Sequence, residues 1–123
     1  MTIEALKFIA DALKSVGINY EFGEWSQEVI YPYFVGEYTE REPMTEDGLH
    51  DADFMLTGFH RGQWLELEEA KQKVERLFAN SAHILPNGSG LAVYYSGAFI
   101  TPQNDPALKR IQINLRIKEW MVN

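Results

Sequence analysis

An α+β fold in the element order α-β-β-β-α-β-β, with a mainly antiparallel sheet and both helices on one of its faces, is what this sequence predicts. Three observations carry that reading. Two segments repeat apolar residues at helical spacing, several others alternate apolar and polar residues at period two, and clusters of Gly, Pro, Asn and Asp separate them. At 123 residues, 46% hydrophobic and 24% charged, the chain is expected to form a single domain, 1–123, with one proper core.

The first helix is expected over residues 3–16. Ile3, Leu6, Ile9, Ala10, Leu13 and Val16 form its apolar stripe, opposite Glu4, Lys7, Asp11 and Lys14. Thr2 suits the N-cap, and Gly17 ends the helix because it tolerates the left-handed conformation. A strand follows at 18–25, where Ile18, Tyr20 and Phe22 alternate with Asn19 and Glu21. After the short connection Ser26–Ile30, a second strand runs from Tyr33 to Arg41, rich in aromatic and β-branched residues. Pro32 places that strand's start at an edge or at its first residue, since proline donates nothing to the ladder.

Residues 42–51 carry turn chemistry without a period and read as a long polar loop. The next strand, about 52–61, is apolar on both faces (Phe54, Leu56 and Gly58 against Met55, Thr57 and Phe59), which suits a central position. A second helix is expected over 63–79, burying Trp64, Leu67, Ala70, Val74, Leu77 and Phe78. Glu69 with Lys73, and Lys71 with Glu75, would sit one turn apart on its outer side. Residues 80–90 read as a connector, ending in the turn Pro86-Asn87-Gly88-Ser89-Gly90. Two strands close the chain: Leu91–Ile100, and a final one in which Ile111, Ile113, Leu115 and Ile117 interleave with Gln112, Asn114, Arg116 and Lys118. Strands joined by hairpin-length loops are expected to pair antiparallel.

The chemistry-bearing residues form no recognisable catalytic set. There is no cysteine, which excludes thiolate metal sites and cysteine nucleophiles. Asp47, His50, Asp51, Asp53 and His60 are the one group that could hold a divalent metal, but they lack any established ligand spacing. A solvated acidic loop is the plainer reading of that group. Ser96 lacks a nucleophile elbow, and Ser96-Gly97 reads as a bulge or bend within a strand; Asn87–Gly90 has no phosphate-loop lysine and reads as a turn. No catalytic, cofactor or metal residue is therefore assigned. No apolar run is long enough for a secretory signal or a membrane span, and no membrane partner is expected. A net charge of −7 argues against specific nucleic-acid binding, which rests on clustered lysine and arginine.

Most of the aromatic residues read as ordinary strand formers, but their number and the uneven placement of charge leave room for contacts with other proteins. Aromatics make up 13% of the chain, and Tyr31, Tyr33, Phe34, Tyr38, Tyr94, Tyr95, Phe99 and Trp120 fall on or beside strands. A sheet covered on one side buries about half of these; the remaining tyrosines suit an interface. Glu37, Glu40, Glu42, Glu46, Asp47, Asp51 and Asp53 stand against Arg41 alone, while Lys109, Arg110, Arg116 and Lys118 are free of acids. These two segments could meet within the fold, meet head to tail between subunits, or be scattered solvated faces, a reading the sequence supports equally.

The element order, the length and the long polar loop resemble the tail-terminator (tail-completion, minor tail) proteins of long-tailed bacteriophages and prophages. So does the local text Tyr31–Tyr38 entering the second strand and Asp53–Phe59 leading to the helix at Trp64. The resemblance implies a non-enzymatic structural subunit without cofactors, in a homo-oligomeric, hexameric ring that caps the tail tube and joins it to the head. Its implied partners are the major tail tube protein and head–tail connector proteins, with DNA passing through the ring. Its implied location is the virion tail, and the bacterial host cytoplasm during assembly. It also implies a 42–51 loop that is mobile in the monomer and ordered on assembly. A head-closure or baseplate adaptor is the alternative, and a small-molecule- or metal-binding domain a further one.

Overall fold

The computed structural model describes residues 1–41, 49–79 and 81–120, without the side chain of Ser81. Among these residues lie α1 (Ile3–Ser15), β1 (Tyr20–Phe22), β2 (Tyr33–Arg41), β3 (Leu49–His60), α2 (Trp64–Leu77), β4 (Ser81–Ile84), β5 (Gly90–Pro102) and β6 (Lys109–Trp120). The strands form one sheet in the order β1-β2-β3-β6-β5-β4. Strand β3 is central, as expected.

The fold is α+β, with two departures from the expected order and pairing. Strand β4 lies inside the segment expected to be a connector. It is short, beside strong turn signals, and its alternation is too brief to register in sequence. Strand β1 pairs parallel with β2, so the sheet is mixed. Residues 23–32 return the chain to the starting end of the sheet, so β2 runs alongside β1 in the same direction. Gly23, at φ +86°, makes the turn, and its amide donates to Gly36 O at 2.8 Å. Ser26 closes the loop's first half by donating its amide and hydroxyl to the Glu21 carboxylate at 2.9 and 2.7 Å.

Helix α1 is capped at both ends by its sequence. The Thr2 hydroxyl accepts from Ala5 N at 3.1 Å and donates to the buried Glu119 carboxylate. At the other end, Gly17 adopts φ +81°, with Gly17 N donating to Lys14 O and Ile18 N to Leu13 O. The buried face is Ala5, Ile9 and Leu13; Ile3, expected in the stripe, is exposed because helical spacing turns it about a third of a turn away from that face. In α2 the buried face is Leu67, Ala70 and Val74, continued by Phe78. Trp64 opens that helix and is partly exposed, with the Lys109 ammonium 5.9 Å from its ring centre. Lys71 meets Glu68 at 3.4 Å, not Glu75.

Both helices cover the sheet face bearing Phe34, Ala52, Phe54, Leu56, Ile111, Ile113, Leu115, Ile117, Leu91 and Val93. Two glycines make the packing there possible. A Cβ on Gly36 would lie 2.5 Å from the Phe54 ring and 2.6 Å from the Tyr20 hydroxyl, and one on Gly58 would overlap the Phe34 ring. Ser96 is the extra residue of a bulge between Tyr95 and Gly97. It keeps Ala98 and Ile100 on the same face as Val93 and Tyr95, and the Ser96 hydroxyl donates to Asn114 O. No described helix is long and apolar enough to cross a membrane.

Candidate functional site

Neither helix covers the opposite face of the sheet, and that face gathers most of the described charged positions singled out in the sequence. Period two puts Glu37, Thr39 and Arg41 of β2, Asp51, Asp53, Met55 and Thr57 of β3, and Arg110, Gln112, Asn114, Arg116 and Lys118 of β6 on this face. Register then sets the neighbours. Arg41, Asp51, Lys118 and Ala92 form one cross-strand row; Thr39, Asp53, Arg116 and Tyr94 form the next; Glu37, Met55, Asn114 and Gly97 form a third.

The acidic and basic segments therefore meet within the fold. Arg116 Nε stands 3.9 Å from Asp51 Oδ1, and the Arg41 guanidinium donates to Asp53. Exposed pairs of this kind contribute about 0–1 kcal/mol each, so they align strands more than they stabilise them. Lys118 makes no ion pair among the described residues. Further along β6 a polar ladder runs from Arg110, which donates to Thr101 Oγ1 at 3.0 Å and Gln112 Oε1 at 3.4 Å, to Gln112, which donates to Asn114 Oδ1 at 2.9 Å.

Two of the singled-out residues lie elsewhere. Glu40 is on the helix side, 2.5 Å from the Met1 amino group. Lys109 opens β6 beside Trp64, opposite His60. Glu42, Glu46 and Asp47 lie outside the described residues, as does most of the expected 42–51 loop; Leu49, His50 and Asp51 already belong to β3.

An aromatic and ionic clasp closes one end of this face and was not legible in the sequence. Trp25 packs on Tyr33 at 5.0 Å, and Tyr33 stacks on Phe59 at 5.2 Å, its cross-strand partner. Tyr31 lies 5.7 Å from Tyr33, and its hydroxyl accepts from Arg61 Nε at 3.2 Å. Arg61 also reaches Asp105, in the β5–β6 turn, at 2.9 Å. The Ala107 amide and the Arg61 guanidinium hold the Asp105 carboxyl below its usual value. The aromatic spacing was visible in the sequence, but the register that stacks these rings was not.

The one metal-like group in the sequence is dispersed by the same alternation. His50 faces the helices, Asp51 and Asp53 face away, and His60 ends β3 about 30 Å from His50. His60 is buried; its Nε2 lies 2.6 Å from Glu66 Oε2, and its Nδ1 has no hydrogen-bond partner among the described residues. No cluster of three or more His, Cys, Asp or Glu is arranged to hold a metal among the described residues. A cavity of about 530 Å³ lies between the Gly17–Asn19 turn, Ile30–Pro32 and α2, lined by Ile18, Phe34, Glu66, Glu69 and Lys73.

No family model matches this chain, and no curated protein does. Solved structures do share its fold. One is a chain of the virion of a native gene transfer agent particle: TM-score 0.72 and 14% identity, covering 94% of this chain and 90% of that one. A second, carrying no functional name, superposes at TM-score 0.71 with 12% identity, over 98% of this chain and 93% of that one. At these identities the likeness is one of fold, and it spans nearly the full length on both sides.

Proposed function

We propose that this chain is a structural subunit of a phage-like particle, and that within such a particle it is the tail terminator. In this reading copies of the chain form a hexameric ring that caps the tail tube, stops its growth and offers the surface to which the head joins. The observation that supports it most is the near-complete likeness of fold to a chain of the gene transfer agent virion. The uncovered sheet face agrees with it: a polar, partly aromatic surface suits contact with other subunits better than substrate chemistry. The net charge of −7 suits a ring through which DNA passes without being held. The partners are further copies, the tail tube protein and head–tail connector proteins; the location is the virion tail, and the host cytoplasm during assembly. No reaction and no cofactor are part of the proposal.

Light scattering and negative-stain microscopy of the full chain, alone and with tail tube protein, test the reading. Rings that attach to tube ends and halt elongation are expected. A chain that neither forms rings nor binds tube ends overturns it. So does turnover of a small molecule that is abolished in His50→Ala or Asp53→Ala. Binding to connector proteins without tube ends would favour the head-closure alternative.

A further inference from the structure

The two free edges of the sheet differ in a way that makes them complementary. Strand β1 forms one edge and β4 the other, about 24 Å apart across the sheet. On the β1 side, residues 17–40 contain Glu21, Glu24, Glu28, Glu37 and Glu40 and no lysine or arginine. The loop after β1 exposes Val29 and Ile30, at 44% and 69% of their surface. On the β4 side, residues 81–104 contain no Asp, Glu, Lys or Arg at all.

Ile84, 78% exposed, shares a cross-strand row with Gly90 and Trp120. Glycine leaves room for the Trp120 ring, which would sit 3.4 Å from a Cβ at that position. The result is an apolar depression of about 320 Å³ between Ile84 and Trp120. The neighbouring row on the same face ends in Ala82, Ala92 and Lys118, whose ammonium is unpaired among the described residues. One edge thus offers the branched side chains Val29 and Ile30 next to Glu28, with Lys73 of α2 lining the cavity beside Ile30. The other offers an apolar depression flanked by a cation.

We infer that the Glu28–Ile30 segment of one copy seats in the Ile84–Trp120 depression of the next, with Glu28 facing Lys118. This rests on the reading of the chain as a self-assembling subunit and names the surfaces that join its copies. Because the two surfaces lie on opposite edges, one chain cannot satisfy both. Each contact leaves one of each free, so growth continues until a ring closes.

The test uses two variants of the full chain, Ile30→Asp and Ile84→Asp, followed by sedimentation velocity over a concentration series. Both positions are exposed, and thermal melts matching wild type establish that each variant folds; Ile30→Ser and Ile84→Ser serve if an aspartate does not. Each variant alone should self-associate roughly tenfold or more weakly than wild type. Mixed one to one, they should form a heterodimer that grows no further, because each retains the half the other has lost. Lys118→Glu should weaken assembly, and adding Glu28→Lys to the same chain should restore it. Variants that assemble like wild type, or a mixture that stays monomeric, overturn this contact while leaving the ring reading standing. A wild-type chain that stays monomeric at every concentration overturns both.

Discussion

Tyr20 illustrates how a single side chain couples packing to proton chemistry. Its ring lies against the helix-side face and its hydroxyl is buried over Gly36 without a hydrogen-bond partner among the described residues. Burial pushes its pKa well above the usual 10.0. The unfolded chain ionises Tyr20 near pH 10 while the folded chain does not, so this contribution is complete below pH 10 and is lost as pH rises beyond it. Tyr20→Phe removes an unpaired buried hydroxyl. It should leave stability unchanged or raise it by about 1 kcal/mol at pH 7, and make alkaline unfolding less steep, as read by denaturant melts between about pH 8 and 11. A loss of 2 kcal/mol or more would mean that the hydroxyl has a partner. Gly58 makes the opposite case. Its missing side chain is the space occupied by the Phe34 ring, and Gly58→Ala should cost roughly 1–3 kcal/mol, measured by the same melts.

The elements follow local rules at their ends and long-range contacts between them. Helix α1 starts and stops where Thr2 and Gly17 dictate, whereas Gln63, the N-cap of α2, makes no side-chain cap hydrogen bond. The start of α2 is held instead by Glu66 reaching back to His60, a contact between a helix and the strand before it. The turn between β5 and β6 is held by Arg61, at the end of β3, through Asp105. The Asp105 carboxyl is held below 3.8, so its contribution is present above that value and is lost as pH falls through the lower folded value. Asp105→Asn should therefore lower stability slightly at pH 7, leave it unchanged in acid so that the loss below about pH 4 is flatter, and raise amide exchange in the β5–β6 turn. An unchanged acid limb would show that the clasp contributes nothing.

At the scale of the whole molecule, charge is arranged by topology. The sheet order β1-β2-β3-β6-β5-β4 puts the three strands before α2 on one side and the three after it on the other. Acids therefore gather toward the β1 edge, cations line β6, and the β4 edge is uncharged. Assembly through such surfaces should weaken as salt rises from about 0.05 to 0.5 M, read as a fall in mass by light scattering. Assembly that strengthens over that range would mean that apolar contact alone joins the copies.

By itself the sequence determined the helices, most strands and the bulge at Ser96, because these follow from spacings of two and 3.6 residues and from capping and turn residues close in the chain. Strand β2 starts at Tyr33, where Pro32 puts it. Two features were beyond its reach for the same reason. The parallel pairing of β1 with β2 and the existence of β4 depend on partners many residues away, and three or four residues hold too little pattern to declare a strand. Tertiary structure alone decided the site. It split His50 from Asp51 and Asp53, set Asp51 against Lys118 and Asp53 against Arg116, and left Ile30 and Ile84 on opposite edges. Register and strand order are settled by burying one face against two helices at once, and no local stretch of sequence carries that energy.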